Sequence, residues 1–212
     1  MLRLAAIPTA TPVVALLTTP FRARHPDVSF SVQSTTSSEI GRLIADREID
    51  AGVTYLENEP LGRVTAVPLY RERYKLLTAV DGAFGSKDAV TWEDIRRLPL
   101  CLLTPDMQNR RIIDAQLSSD GQPTSPLLES NSMIVLLSHV RTAKWASVMP
   151  AVLADSFRLG ERVRAVPIVE PDVSHVVGLV VPEREPMTPL CASLLAETRA
   201  AASTIADTIA SL

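Results

Sequence analysis

Small polar side chains gather at three places where an apolar run of this 212-residue chain gives way to a helical pattern. The first place holds Thr9–Thr11, the second holds residues 104–109, and the third holds Asn131 and Ser132. Backbone N–H groups at a helix start carry partial positive charge, and hydroxyl or amide groups add donors, so such turns suit an anion. With Thr54 at the end of a third predicted strand, we expect small-ligand contacts from Thr9, Ala10, Thr11, Thr54, Thr104, Met107, Asn109, Asn131 and Ser132.

Each of these turns also admits a purely structural role. Thr11, Asp106 and the Asn131–Ser132 pair could each cap the helix that follows. Arg110 and Arg111, on the helix after Asp106, fit a solvated helix face as well as a ligand contact. The sequence leaves both interpretations open.

No arrangement of residues suggests catalysis. The sequence contains no G-x-S-x-G elbow, H-E-x-x-H pair, P-loop or G-x-G-x-x-G motif. His25 follows a helix and His139 lies on an apolar one, which favours capping or packing roles, whereas His175 could face a cleft. Cys101 and Cys191 have no close partners in the sequence. We therefore predict no catalytic residue, no metal and no cofactor, and hence no enzyme.

Charge and hydrophobicity restrict the partners and the compartment. Lys+Arg 21 against Asp+Glu 24 gives a net charge of −3, which argues against a broad basic face for nucleic acid. Pro8 and Pro12 break the apolar N-terminus, which indicates a strand, a turn and a helix start rather than a signal peptide. No apolar run approaches the roughly 20 residues of a membrane span. We expect a cytoplasmic protein without a membrane partner.

Short apolar runs alternate with helical patterns along the chain, which predicts an α/β protein with helices covering its sheets. Thr36–Glu39 and Thr91–Asp94 fit capping boxes, Pro20 should kink or interrupt the first helix, and residues 118–123 should form a turn. Two α/β units joined by extended strands favour two lobes. A ligand would then lie in the cleft between them, at the carboxyl ends of strands.

Five segments carry a family resemblance, in order and over essentially the whole chain. They read FRARHPDVSFSVQ (21–33), LIADREIDAGV (43–53), PLYRERYKLLTAV (68–80), TWEDIRRLP (91–99) and SVMPAVLA (147–154). Together they resemble the effector-binding domain of LysR-type transcriptional regulators.

This resemblance implies a type 2 periplasmic-binding-protein-like fold, with two α/β lobes joined by crossover strands near Lys75–Thr78 and Ser174–Val177. Residues 1–76 with 177–212 would form lobe I and residues 77–176 lobe II, with the effector cleft between them. The family binds a small-molecule effector and acts as a homodimer or tetramer, in which a helix such as Met133–Leu137 packs against a partner. DNA would be contacted only through an N-terminal module that is not in this chain.

The chain departs from the family pattern after the first crossover, where Asp81–Gly82 replaces the usual His-Pro. Arg141–Trp145 stands where small, glycine-rich residues are usual, and Lys144 and Trp145 predict a bulkier, more cationic pocket wall. Two alternatives remain open: a solute-binding protein of an ABC transporter, and a small-molecule enzyme on the same scaffold.

Overall fold

The computed structural model describes residues 1–118, 125–157 and 159–211. Strands and helices alternate along these residues, which confirms the predicted α/β class. The chain divides into two compact units: unit 1 is Met1–Glu72 with His175–Leu212, and unit 2 is Arg73–Ser174. The chain therefore passes from one unit to the other at Glu72/Arg73 and returns at Ser174/His175. In the part of the chain that is described, no helix is long and apolar enough to cross a membrane.

Unit 1 is built on a five-stranded mixed sheet in the order β2-β1-β3-β11-β4. Its strands are β1 (Leu2–Ala6), β2 (Phe30–Ser34), β3 (Ala51–Tyr55), β4 (Val64–Glu72) and β11 (His175–Pro182). Its helices are α1 (Thr11–Arg24), α2 (Ser37–Ala45) and α7 (Pro189–Ala210). β1 runs parallel to β2 and β3, whereas β11 runs antiparallel to β3 and β4.

The sequence of β11 explains its central position in that sheet. All six residues between His175 and Pro182 are apolar or glycine, and residues 177–182 are all buried. Gly178 lies at a β-bulge against β4, where an added Cβ would be 2.4 Å from the carbonyl oxygen of Val67. Only glycine allows the two backbones to approach this closely.

Unit 2 contains a four-stranded sheet in the order β6-β10-β5-β9 and a two-stranded parallel pair, β7-β8. The strands are β5 (Tyr74–Ala79), β6 (Val90–Thr91), β7 (Cys101–Leu103), β8 (Leu128–Ser130), β9 (Ser147–Pro150) and β10 (Val163–Glu170). The helices are α3 (Trp92–Ile95), α4 (Gln108–Leu117), α5 (Met133–Val140) and α6 (Ala151–Ser156). A parallel bridge between Leu100 and Ala146 links β7 to β9.

The local predictions have mixed outcomes. Thr91 and Asp94 form the reciprocal capping box that the sequence predicts at α3. Thr36 caps α2 through its hydroxyl, but the Glu39 carboxylate binds Arg42 instead of completing the box. α1 runs from Thr11 to Arg24 without interruption at Pro20. Of the predicted turn at 118–123, only the first residue lies within the described ranges.

Candidate functional site

In unit 1, the connections after β1, β2 and β3 leave from one edge of the sheet, because these three strands are parallel. The N–H of Ile7 donates to the carbonyl oxygen of Val53 (3.0 Å), and that of Thr35 donates to Ala6 (3.0 Å), so both connections stay close to the strand ends. The carboxyl edge of parallel strands is where open α/β sheets bind ligands.

Each of these three strands contributes one buried hydroxyl to this part of unit 1. Thr9 follows β1, Ser37 follows β2, and Thr54 lies near the end of β3; their exposed fractions are 1%, 3% and 0%. None of the three hydroxyl oxygens has a hydrogen-bond partner among the described residues. A buried hydroxyl without a partner is unfavourable by about 1–3 kcal/mol. These three hydroxyls are therefore candidates for hydrogen bonds to a small ligand.

The predicted cap at Thr11 was wrong. A single 3₁₀ turn, Pro8–Ala10, precedes α1, so that Ala10 occupies the cap position and Thr11 is already helical. The Thr11 hydroxyl donates to the carbonyl oxygen of Pro8 (3.0 Å). α1 therefore has neither a side-chain cap nor an acidic residue in its first turn, so no side chain there offsets the positive end of its dipole.

Unit 2 has a corresponding edge at the carboxyl ends of β7 and β8, which pair in parallel from Cys101/Leu128 to Leu103/Ser130. Thr104 follows β7, and its side-chain oxygen is buried with no partner in the described part of the protein. Asn131 is exposed and Ser132 half-buried after β8.

The helix starts at this edge also differ from prediction. The N–H of Met107 bonds to the carbonyl oxygen of Thr104 (3.0 Å), and this tight turn delays the start of α4 to Gln108. Asp106 is therefore exposed in the turn and does not cap the helix. Ser132 occupies the cap position of α5, but its side chain makes no capping bond.

The structure thus brings the nine predicted contact residues to two edges, one in each unit. Thr9, Ala10, Thr11 and Thr54 belong to unit 1, and the other five belong to unit 2. Met107 is 7% exposed and packs in the hydrophobic core of unit 2 with Cys101 and Leu103. Their role in ligand contact remains a prediction.

Arg110 does not lie on a solvated helix face, which was one of its two predicted roles. It is 3% exposed and binds Leu103, Asp114 and Glu129. Arg111 is exposed and donates to the carbonyl oxygen of Pro105 (2.9 Å).

The predicted wall residues Lys144 and Trp145 lie where α5 leads into β9, at the amino end of that strand. The ring centroid of Trp145 is 5.6 Å from that of His139 near the end of α5. Because α5 begins at the carboxyl edge and ends at the opposite one, these residues lie away from Thr104 and Ser132. That they make a pocket wall bulkier stays a prediction.

A buried acid lies at the point where the chain leaves unit 1. Glu72 is 0% exposed, and its carboxylate accepts hydrogen bonds from the hydroxyls of Tyr55 and Tyr70. Burial raises the pKa of Glu72 to about 7, and the two tyrosine hydrogen bonds offset only part of that rise. Across the sheet, His175 pairs with Glu72, and burial lowers the pKa of His175 although Glu57 opposes the change.

The other two histidines have structural contacts. His25 is the C-cap residue of α1, as predicted; its ring stacks on Phe21, with centroids 4.2 Å apart, and its Nε2 lies 2.6 Å from Glu197. His139 Nδ1 lies 2.7 Å from the carbonyl oxygen of Val135 on the same helix. Within residues 1–118, 125–157 and 159–211, no group of side chains could hold a metal ion.

Sequence reasoning missed Ser37 and Glu72, and it did not foresee that Arg110 is buried. Ser37 was hidden inside a capping pattern that its neighbour Thr36 satisfies. The partners of Glu72 and Arg110 include residues 17 and 19 positions away, which only the folded chain brings into contact.

Comparison with known proteins agrees with this architecture. The family model described as LysR substrate binding domain matches residues 1–203. A probable nitrogen assimilation transcriptional activator from Synechococcus elongatus is 22% identical over 169 residues, which are 78% of this chain and 54% of the relative. The chain spans about half the length of the curated relatives that it matches.

Solved structures share the fold. The CcmR regulatory domain of Synechocystis PCC6803, described in complex with 2-PG, has a TM-score of 0.83 at 15% identity and covers 95% of this chain and 96% of its own. The effector-binding domain of QuiR, in complex with shikimate, scores 0.80 at 18% identity, with coverages of 96% and 97%. The reduced OxyR regulatory domain from Pseudomonas aeruginosa scores 0.79 at 20% identity, with coverages of 94% and 97%. These similarities confirm the predicted fold.

Proposed function

Because the chain belongs to the LysR substrate binding domain family, we propose that it is the ligand-sensing regulatory part of a LysR-type transcription factor. It binds a small anionic effector and controls DNA binding by a separate N-terminal module. It acts in the cytoplasm and catalyses no reaction.

The observation that carries this proposal is the set of three buried hydroxyls without partners at one edge of unit 1. Thr9, Ser37 and Thr54 each leave a donor unused in the described structure. The oxygen atoms of a small ligand would accept these three hydrogen bonds, and the unfavourable burial of the hydroxyls would then be relieved only when the ligand is present. This is the property that a sensor requires.

The donors at this edge favour an anion. The start of α1, a helix of 14 residues, has no side-chain cap and comes two residues after Thr9. Helix N-termini and hydroxyl donors stabilise negative charge without a neighbouring lysine or arginine. The QuiR neighbour supports this ligand class, since its ligand shikimate carries a carboxylate.

The effector would act by shifting a population. If the effector binds one conformational arrangement of the protein more tightly than another, it shifts the population toward that arrangement. It can then shift the equilibrium by no more than the difference between its affinities for the two arrangements. The net charge of −3 is consistent with DNA contact through another module.

The regulator would act as a homodimer or tetramer of this chain. On α5, Ile134 is 68% exposed and Val135 is 37% exposed, which leaves apolar surface on one face of the helix. On unit 1, β2 is an edge strand whose Val32 is 48% exposed. A second copy of the chain would cover these apolar surfaces in a two-fold symmetric contact.

Oxidation is a rival signal, because the OxyR neighbour is described in its reduced form. The two cysteines of this chain do not favour it. Cys101 is buried in unit 2, where burial raises the pKa of its thiol to about 11, and Cys191 is buried in unit 1. A thiol with such a pKa is almost entirely protonated at neutral pH and reacts slowly.

The test is a thermal-shift screen of this chain against inorganic phosphate, sulfate, shikimate and other small carboxylates. A compound present at 100 times its Kd adds about 2.7 kcal/mol of stability, which corresponds to a rise in Tm of about 5–10 °C. Thr54→Val should lower the affinity for that compound at least tenfold, because it removes one hydrogen bond to a charged group. Thr18→Val, which removes a hydroxyl bonded to Val14 within α1, should leave the affinity unchanged. Equal binding by the wild type and Thr54→Val would contradict the proposed site.

A further inference from the structure

Arg110 is a buried arginine on the first turn of α4, and its Nε and Nη1 donate to protein oxygens. Its Nη1 donates to the carbonyl oxygen of Leu103 (2.7 Å) and to Oε1 of Glu129 (2.7 Å). Its Nε donates to the carboxylate of Asp114, one turn further along the helix (2.8 Å). Only 4% of the side chain is exposed.

These contacts join the three segments of unit 2 that carry predicted effector residues. Leu103 is the last residue of β7 and immediately precedes Thr104. Glu129 lies in β8, two residues before Asn131. Arg110 itself immediately follows Asn109. One guanidinium therefore connects the turn after β7, the turn after β8 and the start of α4.

The backbone alone holds these segments weakly. β7 and β8 pair over only three residues each, and β8 is an edge strand whose residues are half-buried or exposed. A ladder this short leaves the end of β8 free to open locally. Charge-assisted hydrogen bonds from a planar guanidinium fix both distance and direction, which a short parallel ladder does not.

We infer that Arg110 is a positioning residue for the effector site: it sets the separation between the Thr104 turn and the Asn131–Ser132 turn without touching the effector. This inference rests on the proposed function. By holding the two turns in place before binding, Arg110 reduces the ordering that the effector would otherwise have to impose.

The first experiment needs no ligand. Amide hydrogen exchange is measured on the whole chain for the wild type, Arg110→Met and Arg96→Met. Arg96 is the matched control, because it donates to the carbonyl oxygen of Ser118 at the other end of α4 (3.1 Å) and also pairs with Glu93 of α3. In Arg110→Met, exchange should accelerate at least tenfold over residues 103–109 and 128–133. In Arg96→Met, it should stay within twofold of the wild type over those residues.

Two further variants separate the positioning role from general stability. Glu129→Gln weakens only the link from α4 to β8. The faster amide exchange in this variant should therefore be confined to residues 128–133. Arg110→Lys keeps the positive charge but loses the planar arrangement of donors, and should leave residues 128–133 exchanging faster than in the wild type. Wild-type protection in either Arg110→Lys or Arg110→Met would overturn the inference.

The second experiment measures affinity for the anions of the thermal-shift screen, with shikimate and inorganic phosphate as the named probes. Arg110→Met should bind at least tenfold more weakly than the wild type, and Arg96→Met within twofold. If a probe binds Arg110→Met as well as the wild type, the inference fails although the proposed function stands. If neither probe binds the wild type, the proposed function fails for those ligands, and the exchange experiment still decides whether Arg110 holds the two turns.

Discussion

A hydroxyl group that is buried without a partner makes the folded chain less stable than it could be. Thr54 and Ser37 are both in this position in unit 1. We predict that Thr54→Val and Ser37→Ala each raise the free energy of unfolding by about 1 kcal/mol, because the unsatisfied oxygen is removed. Urea denaturation of the unliganded protein measures this change.

The control for these variants is Thr18→Val, whose hydroxyl is bonded to Val14 (3.0 Å) in the wild type. This variant should gain no stability. A loss of stability in both Thr54→Val and Ser37→Ala would show that their hydroxyls have partners in solution, and would remove the main support for a ligand at this edge. Stability and ligand affinity should therefore change in opposite directions at Thr54.

Glu72 should make the stability of unit 1 depend on pH. Its pKa is about 7 in the folded chain and 4.5 as the reference value, so the folded state binds more protons between these two pH values. Stability therefore falls as pH rises from about 4.5 to about 7, by about 3 kcal/mol if the whole shift is realised. Glu72→Gln should abolish this part of the pH profile, and urea denaturation across pH 4–8 measures the difference between the two proteins.

Other titratable groups of unit 1 also contribute to the dependence of stability on pH. His175, across the sheet, has a lowered pKa and acts in the opposite direction, because stability from a neutral histidine is lost as pH falls. α7 packs on β4, and its Glu197 is engaged with Arg24 and His25 of α1. Since these groups are common to both proteins, the difference profile isolates Glu72. A difference that does not vary between pH 4.5 and 7 would contradict the prediction.

At the residue scale, the sequence predicted where candidate site residues stand along the chain better than it predicted whether a residue is buried. The strand-to-helix pattern was sufficient to select Thr9 and Thr54, since both stand where an apolar run ends. It could not indicate that Arg110 is buried, because an arginine on a polar helix usually faces solvent and its partner Glu129 comes from a distant strand. Burial of a charge depends on tertiary contacts, which spacing along the chain does not record.

At the scale of elements, the start of α5 provides a direct test of the anion hypothesis. Ser132 occupies the cap position in an extended conformation, but its side chain makes no capping bond. We predict that Ser132→Asp stabilises the unliganded protein by about 0.5–1 kcal/mol, because a carboxylate both caps the helix and interacts with its dipole. The same carboxylate should repel an anionic effector and weaken its binding at least fivefold.

Ser132→Asn is the matched control, because asparagine caps a helix about as well but carries no charge. It should stabilise the protein and bind the effector nearly as well as the wild type. Calorimetric titration with the anion found in the screen compares the three proteins. Equal affinities of the Ser132→Asp and Ser132→Asn variants for the anion would exclude an anion near α5.

The start of a helix was predictable from the sequence where all capping residues are consecutive. The prediction failed where a turn comes between the strand and the helix. The Thr91–Asp94 box depends on four consecutive residues, and the structure reproduces it in full. The predicted caps at Asp106 and Thr11 were wrong for the same reason. A tight turn precedes α4 and a 3₁₀ turn precedes α1, and each turn shifts the first residue of the helix that follows it. The geometry of such turns depends on the strands that they follow, which a capping pattern does not describe.

At the scale of the whole molecule, the exposed apolar face of α5 predicts self-association. Replacing Ile134 by glutamate puts a charge where a second copy would pack, so Ile134→Glu should weaken the dimer at least tenfold. Because Ile134 is 68% exposed, the variant should keep the Tm of the wild-type chain at low concentration. Analytical ultracentrifugation measures the association. Val169→Glu, at a 43% exposed position on β10, is the control, and a wild-type monomer would contradict the prediction.

Unit 2 separates the two parts of unit 1 in the sequence, and this order affects how the protein folds during synthesis. On the ribosome, β4 is complete once Glu72 has been added, but its neighbour β11 begins only at His175. At about 5–20 residues per second, roughly 100 residues of further translation take about 5–20 seconds. During that interval the nascent chain carries an unfinished apolar sheet, so chaperones that bind exposed strands should bind the first part of unit 1 before β11 is added.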